Sequence, residues 1–121
     1  MPEITDVFKA LSDRTRLRLL KLLTSGEEYC VCELVDALQV RQYTVSRHLS
    51  ILRGLGLVQV RREGNLACYR LVRPQAEPVE TVLACLANRL DGEEFQADRR
   101  RLEERCRLRV DGKCVKVVGY E

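Results

Sequence analysis

A mainly α-helical fold carrying one small β-hairpin is predicted by three features of the 121-residue chain. Apolar residues recur at helical spacing through most of its length, a Gly-Asn pair separates two stretches that alternate apolar with polar residues, and helix-ending glycines punctuate the helical segments. An apolar content of 45% in a chain this short suits one compact domain, or one domain plus an oligomerisation element, with little room for a large enclosed active-site cavity.

The elements follow in order. Residues Ile4 to Leu11 form a first helix, and Ser12 is a reasonable N-cap for a second that runs through Thr24 with Leu17, Leu20 and Leu23 on its apolar face, ended by Gly26. Val31, Leu34, Val35 and Leu38 then fall at i, i+3, i+4 and i+7, a single stripe on a short third helix. After a tight "QVRQ" connection, "YTVSRHLSILRGL" places Val45, Leu49 and Leu52 on one face and Tyr43, Arg47, Ser50 and Gly54 on roughly the opposite one. A short helix, a brief turn and a longer helix with a polar outward face make a helix-turn-helix. In "LVQVRREGNLACYRLV", Val58 and Val60 alternate with polar residues, Gly64 and Asn65 supply the turn, and Ala67, Tyr69 and Leu71 share one face; this hairpin is the wing of a winged helix-turn-helix.

Pro74 and Pro78 mark a boundary. Residues 1–73 are expected to be a winged helix-turn-helix DNA-binding core with an N-terminal dimerisation helix, and residues 74–121 a C-terminal dimerisation helix with a cysteine-containing tail. Beyond the boundary Val79, Val82, Leu83, Leu86 and Leu90 keep helical spacing, and after Asp91-Gly92 a further stretch aligns Phe95, Leu102 and Cys106. So short a chain offers few elements to cover these stripes, so a second copy is the expected cover and the protein is expected to be a homodimer.

Charge is uneven. Arg41, Arg47, Arg53, Arg61, Arg62, Arg70 and Arg73 face a single acid, Glu63, between residues 37 and 73, although the whole chain is only +3. That is a modest nucleic-acid footprint. The second helix of a helix-turn-helix enters the major groove with its first residues on base edges, which assigns Gln42, Tyr43, Thr44, Ser46, Arg47 and His48 to double-stranded DNA. Arg47 leads this set because a guanidinium can bridge two acceptors of guanine or clamp a phosphate. His48 falls near the Val45 and Leu52 face, so it is equally suited to a bond inside the protein. Arg61, Arg62 and Asn65 of the wing can reach the backbone or the minor groove, contacts that hold register without specifying sequence.

The amino end does not resemble a signal peptide and no apolar run approaches the ~20 residues that span a bilayer, so the expectation is a cytoplasmic protein without a membrane partner. Six cysteines in such a chain point to thiols, metal ligands or redox groups in preference to a disulfide framework. Cys30 and Cys32 sit at the start of the third helix. Side chains at i and i+2 point about 200° apart on a regular helix, so the pair can grip one ion only where the first turn is unwound or unwinds. Thiolates suit As(III), Sb(III), Cd(II) or Pb(II) better than hard cations. With His48 the only histidine, a zinc site is harder to build. Cys106 and Cys114, on the carboxy-terminal tail, are the candidates to join the pair; Cys68 and Cys85 read more simply as packed residues.

"FKALSDRTRLRLLKLL", "YCVCEL", "VSRHLSILRGLGLV" and "REGNLACYRL" together resemble the ArsR/SmtB family of winged-helix repressors, and specifically its arsenic-responsive branch, over about residues 5–72. The resemblance implies a homodimer that binds an inverted-repeat operator beside an arsenic-resistance operon and leaves it when As(III) or Sb(III) binds cysteine thiolates. It also implies a third cysteine three residues after the second, a position held here by Val35. A thiol-based redox or persulfide sensor, or a Cd/Pb sensor, is the alternative on the same scaffold. A thiol enzyme is disfavoured, because the pair is CxC instead of CxxC and follows no βαβ strand, and no organic cofactor is implied.

Overall fold

The computed structural model of the chain describes residues 2–115. Helix α1 (Ile4–Leu11) and helix α2 (Arg14–Leu23) meet at a corner where each end is closed by its own side chain. The Ser12 hydroxyl donates back to the Lys9 carbonyl at 2.6 Å, and the Asp13 carboxylate accepts from the Arg16 amide at 3.0 Å. Asp13, and not Ser12, is therefore the N-cap of α2; Ser12 is spent on the preceding helix.

Strand β1 (Tyr29–Cys30) leads directly into α3 (Val31–Leu38). At the end of α3 Gln39 takes the left-handed conformation at φ 57 and its amide donates to the Val35 carbonyl at 2.8 Å, which sets the sharp turn into α4 (Gln42–Gly54). Strands β2 (Val58–Glu63) and β3 (Leu66–Leu71) form the predicted hairpin, Gly64 supplying the positive φ of the turn. The sheet has one strand more than the hairpin. Its order is β1-β3-β2, all antiparallel, with Tyr29 opposite Tyr69 and Cys30 opposite Cys68.

Leu20, Leu23, Leu34, Leu38, Leu49, Leu52 and Leu57 form the centre of the core and are fully buried. Helices α5 (Val79–Arg89) and α6 (Glu93–Cys106) complete the described chain. Here the structure departs from expectation. Helix α6 packs on α3 of the same chain, which buries Leu102 to 3% exposure, while Phe95 and Cys106 of the same stripe are half-buried. Arginines fasten the two helices: Arg101 donates to the Ala37 carbonyl and Arg105 to the Asp36 carboxylate, both at 2.7 Å, while Asp98, buried on α6, receives Arg18 of α2. The expected second segment, 74–121, extends past the described residues at 116–121. No helix among the described residues is long and apolar enough to cross a membrane.

Candidate functional site

Four thiols from three parts of the chain come together at the start of α3. Cys30 is buried on β1, and it stands outside the helix as an extended N-cap at φ −75 and ψ 155, held there by pairing with β3. Only Cys32 belongs to the first helical turn, so most of the unwinding expected of the pair is already present in the fold. The two sulfurs face different partners. Cys30 Sγ lies 2.7 Å from Cys68 Sγ, and Cys32 Sγ lies 2.8 Å from Cys114 Sγ. Cys114 also lies within 4.8 Å of the Cys30 sulfur and a Glu33 carboxylate oxygen. The sulfurs thus run Cys68, Cys30, Cys114, Cys32, with the tail cysteine linking the CxC pair.

Of the two candidate tail thiols, Cys114 joins the group; Cys106 instead approaches the Glu33 carboxylate, its Sγ 3.7 Å from Oε2. Cys85 is exposed on α5, away from the others. Cys68 is not a bystander in this arrangement. The hairpin register puts it on the face opposite Tyr69 and Leu71, where Cys30 of β1 stands beside it and Lys113 and Cys114 of the tail line the same small cavity.

Glu33 organises the site. It is fully buried at the third position of α3, accepts the Cys30 amide at 3.0 Å, and receives two hydrogen bonds of 2.7 Å from Arg109. Burial alone raises the carboxyl pKa, but Arg109 and the Cys30 amide outweigh it and hold it below the ordinary 4.5. The thiols respond in the opposite direction. Burial, then the neighbouring Cys68 thiol, pushes Cys30 far up; burial and Cys114 push Cys32 up to about 12; burial also raises Cys68, and burial with the Glu33 charge raises Cys106 to about 11. Cys30, Cys32 and Cys68 are therefore neutral thiols at neutral pH.

The DNA-reading candidates lie next to these sulfurs. An open groove of about 430 Å³ between α4 and the wing is lined by Cys30 and Cys32 together with Gln42, Ser46, Arg62 and Asn65. Tyr43 is 77% exposed at the start of α4, with Arg47 exposed one turn on and Thr44 half-buried between them. His48 leaves the set: its ring is 4% exposed, with Nδ1 accepting from Arg16 at 3.2 Å and Nε2 3.8 Å from Asp13. Burial, against the pull of Asp13, lowers its pKa below 6.5 and keeps it neutral. Arg61 is exposed on β2, but its guanidinium is held by Glu28 and Glu63, each at 2.7 Å, leaving Arg62 as the freer wing cation.

Sequence reasoning missed Cys68, Glu33, Arg105 and Arg109. Glu33 stands three residues after Cys30, the spacing of a capping box, so that signal was present; Arg109 lies past the end of α6, where no helical spacing marks it. No comparable signal marks a two-residue strand such as β1.

Comparison with known proteins identifies the family and the fold. Residues 13–60 match the model of the bacterial regulatory protein arsR family. The chain is 40% identical over 74 residues to an uncharacterized HTH-type transcriptional regulator of Methanocaldococcus jannaschii, a match covering 61% of this chain and 83% of that one. It is 52% identical over 66 residues to an arsenic resistance transcriptional regulator of Pseudomonas putida, covering 54% of this chain and only 57% of the relative. Among solved structures, HlyU from Vibrio cholerae superimposes with a TM-score of 0.60 at 31% identity, over 69% of this chain and 86% of that one. Sequence and fold together place the chain in the arsR family of bacterial regulatory proteins, a winged-helix transcriptional regulator and not an enzyme.

Proposed function

We propose that this regulator is a cytoplasmic, homodimeric repressor of an arsenic-resistance operon, which binds an inverted-repeat operator and releases it when As(III) or Sb(III) is captured by Cys30, Cys114 and Cys32. The observation that carries the reading is the position of Cys114, 2.8 Å from Cys32 and within 4.8 Å of Cys30. It supplies the third sulfur that Val35 cannot.

Charge favours this ligand class. Arsenous acid is neutral at neutral pH; in binding, three As–O bonds are replaced by three As–S bonds, each thiol proton leaves with a hydroxyl as water, and the product is again neutral. Thiols that burial keeps protonated, as Cys30 and Cys32 are, can accept such a species without the site acquiring charge. The groove supplies the coupling, since Cys30 and Cys32 line it together with Gln42, Ser46, Arg62 and Asn65, the proposed DNA-facing side chains. Movement of the first turn of α3 under an ion therefore acts directly on the α3–α4 unit.

The test is an operator gel-shift with the parent and with the Cys30→Ser, Cys32→Ser and Cys114→Ser variants. Each variant should bind operator as the parent does and no longer release it with arsenite. Release of the Cys30→Ser, Cys32→Ser double variant at the parent's arsenite concentration overturns the site. The close thiol pairs give a redox or persulfide sensor its one supporting observation, but thiols with raised pKa hold little thiolate, the form that oxidants attack. Release by a persulfide donor, with arsenite inert, is the result that reading requires.

A further inference from the structure

Between α2, α5 and α6 lies a cavity of about 290 Å³ that no cysteine lines, at the lower end of the size range of small-molecule pockets. Leu22, Phe95 and Leu102 give it an apolar wall. Lys21 lines it as well, although that residue is only 7% exposed. The Lys21 ammonium donates to the Leu86 and Ala87 carbonyls near the end of α5, at 3.0 and 2.8 Å, which occupies two of its three N–H groups. Arg99, exposed on α6, lines the same cavity and makes no side-chain hydrogen bond or ion pair among the described residues. Burial, then the charge of Arg99, lowers the Lys21 pKa below its ordinary 10.5 against the opposing pull of Asp91. An ammonium so placed, with a second cation beside it, gains from an anion.

We propose that this cavity binds a small organic monocarboxylate, with its carboxylate between Lys21 and Arg99 and its apolar body against Leu22, Phe95 and Leu102. Charge and wall together set the class. The lining carries two cations and one acid, Glu103, which matches a single negative charge better than the double charge of a phosphate. The apolar wall has nothing to offer an inorganic ion and favours a ligand with a hydrocarbon part. Ser25 and Tyr29 add a further donor. Their hydroxyl oxygens lie 3.3 Å apart, so one hydroxyl proton is shared between them and the other is left to give. The site is separate from the thiols and does not depend on the arsenic reading; it provides the regulator with a place for a second ligand of different chemistry.

The test is a titration of the ¹⁵N-labelled full chain with benzoate as the probe carboxylate, and with benzyl alcohol and inorganic phosphate as the neutral and the inorganic comparison, followed by amide chemical shifts. Benzoate should saturate and move the amides of Ser25, Ala87, Phe95 and Arg99. Benzyl alcohol and phosphate should each bind there at least about 10-fold more weakly, the loss expected when a charge-assisted hydrogen bond or the apolar contact is removed. Arg99→Gln changes an exposed side chain, so its spectrum should otherwise match the parent's while its benzoate affinity falls by about 10-fold or more. Lys21→Met should fall further. Benzoate shifts that do not saturate, that scatter over the surface, or that survive Arg99→Gln unchanged overturn the proposal. Phosphate binding at the same amides as tightly as benzoate also overturns it, since the apolar wall would then select nothing.

Discussion

Glu33 is the residue on which the site's geometry depends, because one carboxylate fixes both the start of α3 and the segment after α6. Removing Arg109 leaves that carboxylate fully buried without its main partner. Arg109→Met should therefore destabilise the fold by about 3 kcal/mol, read as a lower urea midpoint at unchanged slope. Glu33→Gln in the Arg109→Met background should recover part of the loss, since it removes the uncompensated charge. The thiols set a second, pH-dependent term. An unfolded chain ionises its cysteines around 9.0, whereas Cys30, Cys32 and Cys68 stay protonated to higher pH in the folded protein. The unfolded state then binds fewer protons, so stability is level below pH 9.0 and falls as pH rises beyond it. Glu33, with its lowered pKa, acts at the other end, losing its contribution as pH falls below 4.5. Urea midpoints measured across this range should trace both declines, and alanine at Cys30 and Cys68 should flatten the alkaline one.

Among the elements, α4 and the wing are the two proposed to hold DNA. Arg47→Ala should weaken operator binding by roughly 1–3 kcal/mol and relax base preference, as expected for a side chain on a base edge. Arg62→Ala should weaken all sequences alike and lower the salt dependence. A fluorescence anisotropy series at several salt concentrations separates the two, and exchanged outcomes would show that the wing specifies and α4 only anchors. Both elements were legible in the sequence, α4 from the Val45, Leu49 and Leu52 spacing and the hairpin from Gly64-Asn65 between alternating strands. The third strand was not, because Tyr29 and Cys30 acquire strand character only by lying against β3. The cover of α6 was not legible either: an apolar stripe specifies that it must be buried, not which surface buries it. The same gap explains the site. CxC was visible as a pair of sulfurs, while the neighbours that complete it are set by long-range packing that no local pattern encodes.

At the scale of the molecule, α6 is occupied by α3, which leaves α1 and α5 to form the proposed dimer. Phe8 is exposed on α1, and Val82 and Leu86 are half-buried on α5. Phe8→Glu should shift sedimentation toward the monomer and weaken operator binding in proportion, whereas a parent chain that sediments as a monomer at micromolar concentration would remove the dimer altogether. The meeting of Cys32 with Cys114 has a further consequence. These residues stand 82 positions apart, so an ion held between them staples the start of α3 to the segment after α6. Such a cross-link removes loop-closure entropy from the unfolded ensemble, by about 4 kcal/mol for a loop of this length. The inducer should then leave the repressor harder to melt as it frees the operator, and a thermal scan with arsenite should show a raised Tm in the parent and none in Cys114→Ser.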